Sequence, residues 1–214
     1  MGDIKAILFD FWGTLVENGT YSPLKQTYAI LRVRMPFGEF VQRFEEVFMT
    51  QKFESQEQAF AQTLEHLGMP ARKALVDELI GLWNKNRLLA KPYAETFDAL
   101  ADLKKTYKLV LLSNTDCFVD SVLEKFSLRS YFDQTALSYE EGHLKTDPHL
   151  FEAALKKLKL SKNDVIMVGD SLETDIAGAV KAGIRAILVD RKNKRDFSPK
   201  ICDLRELREC VQHV

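Results

Sequence analysis

"AILFDFWGTLVE", residues 6–17, decides how the rest of the chain is read. Residues 6–9 form an unbroken apolar run that ends on Asp10. A strand buried on both faces of a parallel sheet has this pattern, because neither face can accept alternating polar side chains. Further apolar runs lie at 109–112, 165–168 and 186–189, and a weaker one at 135–138. Between them, Val119, Val122, Leu123 and Phe126, and again Phe151, Ala154, Leu155 and Leu158, recur at helical spacing. Strands alternating with helices predict an α/β fold, a Rossmann-like, doubly wound parallel sheet.

That rhythm fails from about residue 22 to residue 90, which holds helical stripes and no convincing strand. Phe40, Val41, Phe44, Val47 and Phe48 form one stripe, Phe60, Thr63, Leu64 and Leu67 a second, and Val76, Leu79, Ile80 and Trp83 a third. Breaks fall at "MPFG" (35–38) and "LGMP" (67–70), and Pro92 restarts the alternation. The expected division is a core of residues 1–16 and 91–214 with an inserted all-helical cap domain at 17–90. The cap's own core would be the phenylalanine stripes, and its hinges would lie near 17–22 and 90–92.

Composition excludes several function classes. The 214 residues include 30 basic and 31 acidic side chains, a balance that implies neither nucleic acid nor an anionic membrane as partner. No apolar run reaches the ~20 residues of a membrane span. Asp3, Lys5 and Asp10 bracket the first run, a pattern unlike a signal peptide. Cys117, Cys202 and Cys210 lack metal-ligand spacing and read as free thiols, so the expected location is cytoplasmic. Oligomeric state stays open.

Ligands of open α/β sheets gather at the carboxyl ends of the strands. Those ends carry Asp10, "SNTD" (113–116) and "GDSLETD" (169–175), with Lys145 on a further loop in "EGHLKTDPHLF". Each acid has a plainer reading. Asp116, Ser113 or Asn114 could cap the helix of Val119, Asp175 suits a first helical turn, and Asp147 before Pro148 resembles an N-cap. Capping explains each one singly but not their convergence. Two carboxylates ~4 Å apart repel by about 4 kcal/mol at an effective dielectric near 20, so Asp10, Asp170 and Asp175 together call for a cation. Oxygen ligands favour Mg²⁺, and a metal-bound anion site beside Ser113 and Lys145 suits a phosphoryl group.

In order and spacing these segments resemble the haloacid dehalogenase superfamily, mostly Mg²⁺-dependent phosphatases. "FDFWGTL" is similar to its first motif, "LLSN" to its second, Lys145 in "LKTDPHLF" to its third and "VGDSLETD" to its fourth. The resemblance implies that Asp10 is a nucleophile forming an aspartyl-phosphate, and that Lys145 balances charge as a second catalytic residue. It implies phosphate binding by Ser113, Asn114 and Lys145, and Mg²⁺ held by Asp10, the Trp12 carbonyl, Asp170 and, in support, Asp175. Gly13 turns the chain and Thr14 pins the turn. The substrate would be a small phosphorylated metabolite, with the cap as a lid.

Position 12 departs from the pattern. Family phosphatases usually carry there the aspartate that protonates the leaving oxygen, and losing a general acid forfeits ~10²- to 10⁴-fold in rate. Water or substrate would then protonate it, favouring aryl and acyl phosphates, unless a cap residue such as Glu17, His66 or Lys52 substitutes. An aromatic at position 12 also resembles the 2-haloacid dehalogenases, in which the aspartate attacks carbon and halide leaves unprotonated. Arg32 or Arg34 would be the arginine those enzymes use. They work without metal, however, which strips Asp170 and Asp175 of purpose. A third reading is a catalytically weak protein that binds a phosphorylated ligand.

Overall fold

The structure, a computed structural model, describes residues 3–214. Strands β1 (Ala6–Phe9) and β2 (Val16–Glu17) precede helices α1 (Pro23–Leu31), α2 (Phe37–Phe48), α3 (Gln56–His66) and α4 (Lys73–Leu89). Next come β3 (Lys91–Pro92), α5 (Thr96–Leu103), β4 (Lys108–Ser113), α6 (Asp120–Lys125), β5 (Gln134–Leu137), α7 (Ser138–Glu141) and α8 (Pro148–Leu158). Strand β6 (Val165–Gly169), α9 (Ala177–Lys181), β7 (Arg185–Val189), β8 (Lys200–Ile201) and α10 (Leu207–Gln212) follow.

The apolar runs pair into one six-stranded sheet in the order β5-β4-β1-β6-β7-β8, every pairing parallel. Successive side chains of a strand point to opposite faces. Ile7 and Phe9 therefore join Leu109, Leu111, Ile166 and Val168 in one buried cluster, while Ala6 and Leu8 join Val110, Leu112, Val165 and Met167 in the other. Burial on both sides is why these strands show no polar alternation. Strand β1 has β4 on one side and β6 on the other, so the winding reverses beside it and Asp10 opens into the resulting crevice. The weak run at 135–138 is β5, ending one residue early because Ser138 starts α7.

The stretch between β2 and β3 is helical throughout its regular elements, α1 to α4. Phe40, Phe44 and Phe48 repeat every four residues and bury one face of α2 against Phe60 and Trp83. Ring centroids lie 4.7 Å apart for Phe48–Phe60 and 4.8 Å for Phe48–Trp83. The buried indole keeps a partner, donating from Nε1 to Thr27 Oγ1 at 3.0 Å. Leu144 and Phe118, from loops at the carboxyl end of the sheet, pack against the same cluster, which seats the helices over the strand ends. The two chain passages joining helices to sheet run antiparallel, with Val16 opposite Pro92 and Glu17 opposite Lys91. Among the described residues no helix is long and apolar enough to cross a membrane, and Cys117, Cys202 and Cys210 are free thiols.

Candidate active site

Asp10 leaves β1 with its N–H bonded to the Val168 carbonyl at 2.9 Å, so the sheet fixes where its side chain starts. Its Oδ2 accepts from Thr14 Oγ1 at 3.1 Å, and its Oδ1 from Ser113 Oγ at 3.2 Å. Lys145 Nζ donates to the same Oδ1 and to Asp175 Oδ1, the latter at 2.7 Å. Asp175 is held in turn by Ser171 N–H at 3.0 Å. Gly13, at φ +84°, does more than turn the chain. A Cβ there would lie 2.5 Å from Asp170 Oδ2, so a side chain would push the Asp170 carboxylate from its place, and the positive φ itself favours glycine.

Asp10, Asp170 and Asp175 offer oxygens all within 4.8 Å of one another. Lys145, 1% exposed, is the ammonium inside the group, which leaves two formal negative charges unbalanced. Burial works against the lysine's charge, yet the facing Asp10 and Asp175 carboxylates hold its pKa above the ordinary value. Burial, then repulsion from neighbouring carboxylates, pushes Asp170 and Asp175 up. Among the described residues no donor reaches the Asp170 carboxylate. An all-oxygen donor set with two uncompensated charges fits a hard divalent cation.

A cavity of about 180 Å³ opens above this cluster, walled on the sheet side by Asp10, Trp12, Asn114, Asp116 and Lys145, and on the helical side by Glu45, Met49, Trp83, Asn86 and Arg87. Two bridges cross it from helices to sheet. Arg87 NH2 meets Asp116 Oδ1 at 2.8 Å, both side chains under a tenth exposed, and Asn114 Nδ2 donates to Glu45 Oε2 at 3.0 Å. Asn114 Oδ1 accepts from Lys145 N–H at 2.8 Å, so both ends of its amide are engaged. Burial raises the Glu45 carboxyl to about 7, against the lowering effects of the Asn114 bond and the Lys145 charge.

Asp10, Trp12, Asn114, Lys145, Asp170 and Asp175 all line the cavity, and Ser113 reaches it through Asp10. Asp116 is an ion-pair partner of Arg87 that also accepts from Phe118 N–H, while Asp147 does cap α8. Arg32 and Arg34 are exposed and outside the cavity wall, as are Glu17, Lys52 and His66. Glu45 and Arg87 stand there instead. Glu45 on α2 and Met49 just past its end, four residues apart, face the sheet beside the phenylalanine stripe, a second face that the stripe's spacing does not mark.

A family model described as haloacid dehalogenase-like hydrolase matches residues 4–183. Human N-acylneuraminate-9-phosphatase is 35% identical over 128 residues, 59% of this chain and 52% of that protein. The match thus spans about half the length of the first curated relatives. The glyceraldehyde 3-phosphate phosphatase of Methanothermobacter thermautotrophicus is 28% identical over 195 residues, 87% of this chain and 86% of that one. In structure, the 2-haloacid dehalogenase of Pseudomonas syringae pv. Tomato DC3000 is similar at TM-score 0.68 and 25% identity, covering 98% of this chain and 99% of that chain.

Proposed function

The chain belongs to the haloacid dehalogenase-like hydrolases, and on that premise we propose that it is a Mg²⁺-dependent phosphatase acting on a small phosphorylated metabolite. One observation carries the reading: Asp10 shares a buried cluster with Asp170, Asp175 and a single lysine, two charges short of neutrality. Phosphatase names among the relatives support it. Asp10 attacks phosphorus, the ester oxygen leaves, and water then releases phosphate from the aspartyl-phosphate. Lys145, paired with Asp10, faces the transferring oxygens and offsets their charge. Ser113 offers its hydroxyl there, and Asn114, its amide already engaged, offers its main chain. A bound Mg²⁺, held by Asp10, the Trp12 carbonyl and Asp170 with support from Asp175, supplies charge neutralisation at the phosphoryl group. Residues 17–90 serve as a cap domain that closes the cavity and excludes water.

The half-buried Trp12 and the similarity to a dehalogenase structure favour a second reading, carbon attack by Asp10 with loss of halide. The uncompensated carboxylates weigh against it, since a metal-free site would have to hold them in mutual repulsion. Paired assays separate the two. Phosphate release from p-nitrophenyl phosphate that needs Mg²⁺ and Asp10 is expected. Metal-independent halide release from 2-chloropropionate, without phosphatase activity, would overturn it.

A further inference from the structure

Tryptophan at position 12 has no acidic proton to give a leaving oxygen, since an indole N–H donates hydrogen bonds but does not ionise. The cavity wall holds five carboxyl groups: Asp10, Asp170 and Asp175 belong to the charged cluster, Asp116 is paired with Arg87, and Glu45 remains. Its orientation is fixed. Asn114 Oδ1 has to face the Lys145 N–H, so the amide NH₂ points at Glu45 and engages Oε2 alone. Among the described residues Oε1 has no hydrogen-bond partner. Asn114 directly follows Ser113, whose hydroxyl touches Asp10, so the sheet residue that contacts the nucleophile adjoins the one that positions Glu45.

We propose that Glu45, carried by α2 rather than by the sheet, is the general acid and base of the reaction at Asp10. The inference rests on the phosphatase reading and adds the residue that reading lacks. In the first step an Asp10 oxygen bonds to phosphorus, the phosphorus–ester oxygen bond breaks, and Glu45 gives its proton to the departing oxygen, which leaves as an alcohol. In the second, water bonds to phosphorus, its proton passes to the Glu45 carboxylate, and the phosphorus–Asp10 bond breaks to release inorganic phosphate. Glu45 ends protonated and Asp10 ionised, as they began. An upward-shifted carboxyl at about 7 suits both roles near neutral pH, and the charged groups facing it are Lys145, Asp175 and Asp10. The site's acid would then arrive only when the helices sit on the sheet, coupling closure to proton transfer.

The test is the rate of phosphate release across a leaving-group series from p-nitrophenyl phosphate to glycerol phosphate, for the wild type, Glu45→Gln and Glu45→Asp. In Glu45→Gln the new amide oxygen still accepts from Asn114, so the bridge survives while the proton is lost. Expected are a shallow dependence on leaving-group pKa in the wild type and a steep one in Glu45→Gln. The alkyl ester should slow by about 10²-fold or more and the aryl ester by at least tenfold less than that. Glu45→Asp, with its carboxyl drawn back, should fall between, and it keeps the question open to answer if Glu45→Gln fails to fold. Equal losses on both esters, no loss on either, or a wild type already steep would each overturn the role. If the wild type releases no phosphate even from the aryl ester with Mg²⁺, it is the phosphatase reading that fails.

Discussion

The molecule buries two clusters of opposite character on either side of one cavity. Below it, Asp10, Asp170 and Asp175 crowd around Lys145 with more negative charge than the chain neutralises. Above it, Phe40, Phe44, Phe48, Phe60 and Trp83 form an uncharged aromatic stack. The lower cluster is held by strand-end backbone placement, by Lys145 paired with Asp10 and Asp175, and by the room that Gly13 leaves for Asp170, against its own repulsion. The upper one is held chiefly by burial, with the Trp83–Thr27 hydrogen bond as its polar tie. Chemistry and cohesion thus sit in different regions, and substitutions should separate them.

The sharpest separation is Asp10→Asn. Removing the nucleophile should lower phosphate release by roughly 10⁴-fold or more. The same change removes one charge from an overcharged cluster, so the melting temperature should move little. A large fall in melting temperature would mean that the Asp10–Lys145 pair is a structural support first, and would break the comparison. Phe44→Ala is the mirror image. A cavity beneath a stack of rings should cost about 3 to 5 kcal/mol in urea unfolding, with Mg²⁺ response intact below the transition. A Phe44→Ala protein of unchanged stability would show that the upper cluster is not cohesive.

The two clusters were unequally legible in the sequence. Asp10, Ser113, Asp170 and Asp175 stand out because apolar runs mark strand ends, and parallel strands bring those ends together whatever the loops do. Lys145, on a loop between α7 and α8, is marked only by the family resemblance. The phenylalanine stripe declared itself through its spacing of four. Glu45, Asn86 and Arg87 carry no such mark. Their place in the cavity depends on how the helices dock on the sheet, through Leu144, Phe118 and the Arg87–Asp116 pair, and no local pattern encodes a docking angle. Arg32 and Arg34 show the same gap in reverse: both are cations in the inserted stretch, and both face solvent.

Metal should sharpen the contrast by changing only the lower cluster. At a hundred times its dissociation constant, Mg²⁺ should stabilise the folded protein by about 2.7 kcal/mol, read as a rise in melting temperature. Asp170→Asn should abolish most of that rise, whereas Phe44→Ala should keep it. A full Mg²⁺ response in Asp170→Asn would move the cation away from this cluster.

The smallest effect concerns Glu45, which belongs to the upper segment but faces the lower. Burial holds its carboxyl at about 7, above the ordinary value of 4.5. Below about pH 4.5 folded and unfolded chains both carry the proton, and the group contributes nothing. Between 4.5 and 7 the unfolded chain ionises while the folded one keeps its proton, so stability falls as pH rises, and above 7 the loss is complete. Glu45→Gln removes that ionisation. In chelator, its stability relative to wild type should therefore climb through this window and level off above it, by about 3 kcal/mol for the full shift and by less to the extent that solvent screens the half-buried side chain. A difference independent of pH would mean that Glu45 ionises as freely folded as unfolded. The carboxyl would then lack the burial that lets it hold a proton at neutral pH, and a closed cavity around it would no longer follow.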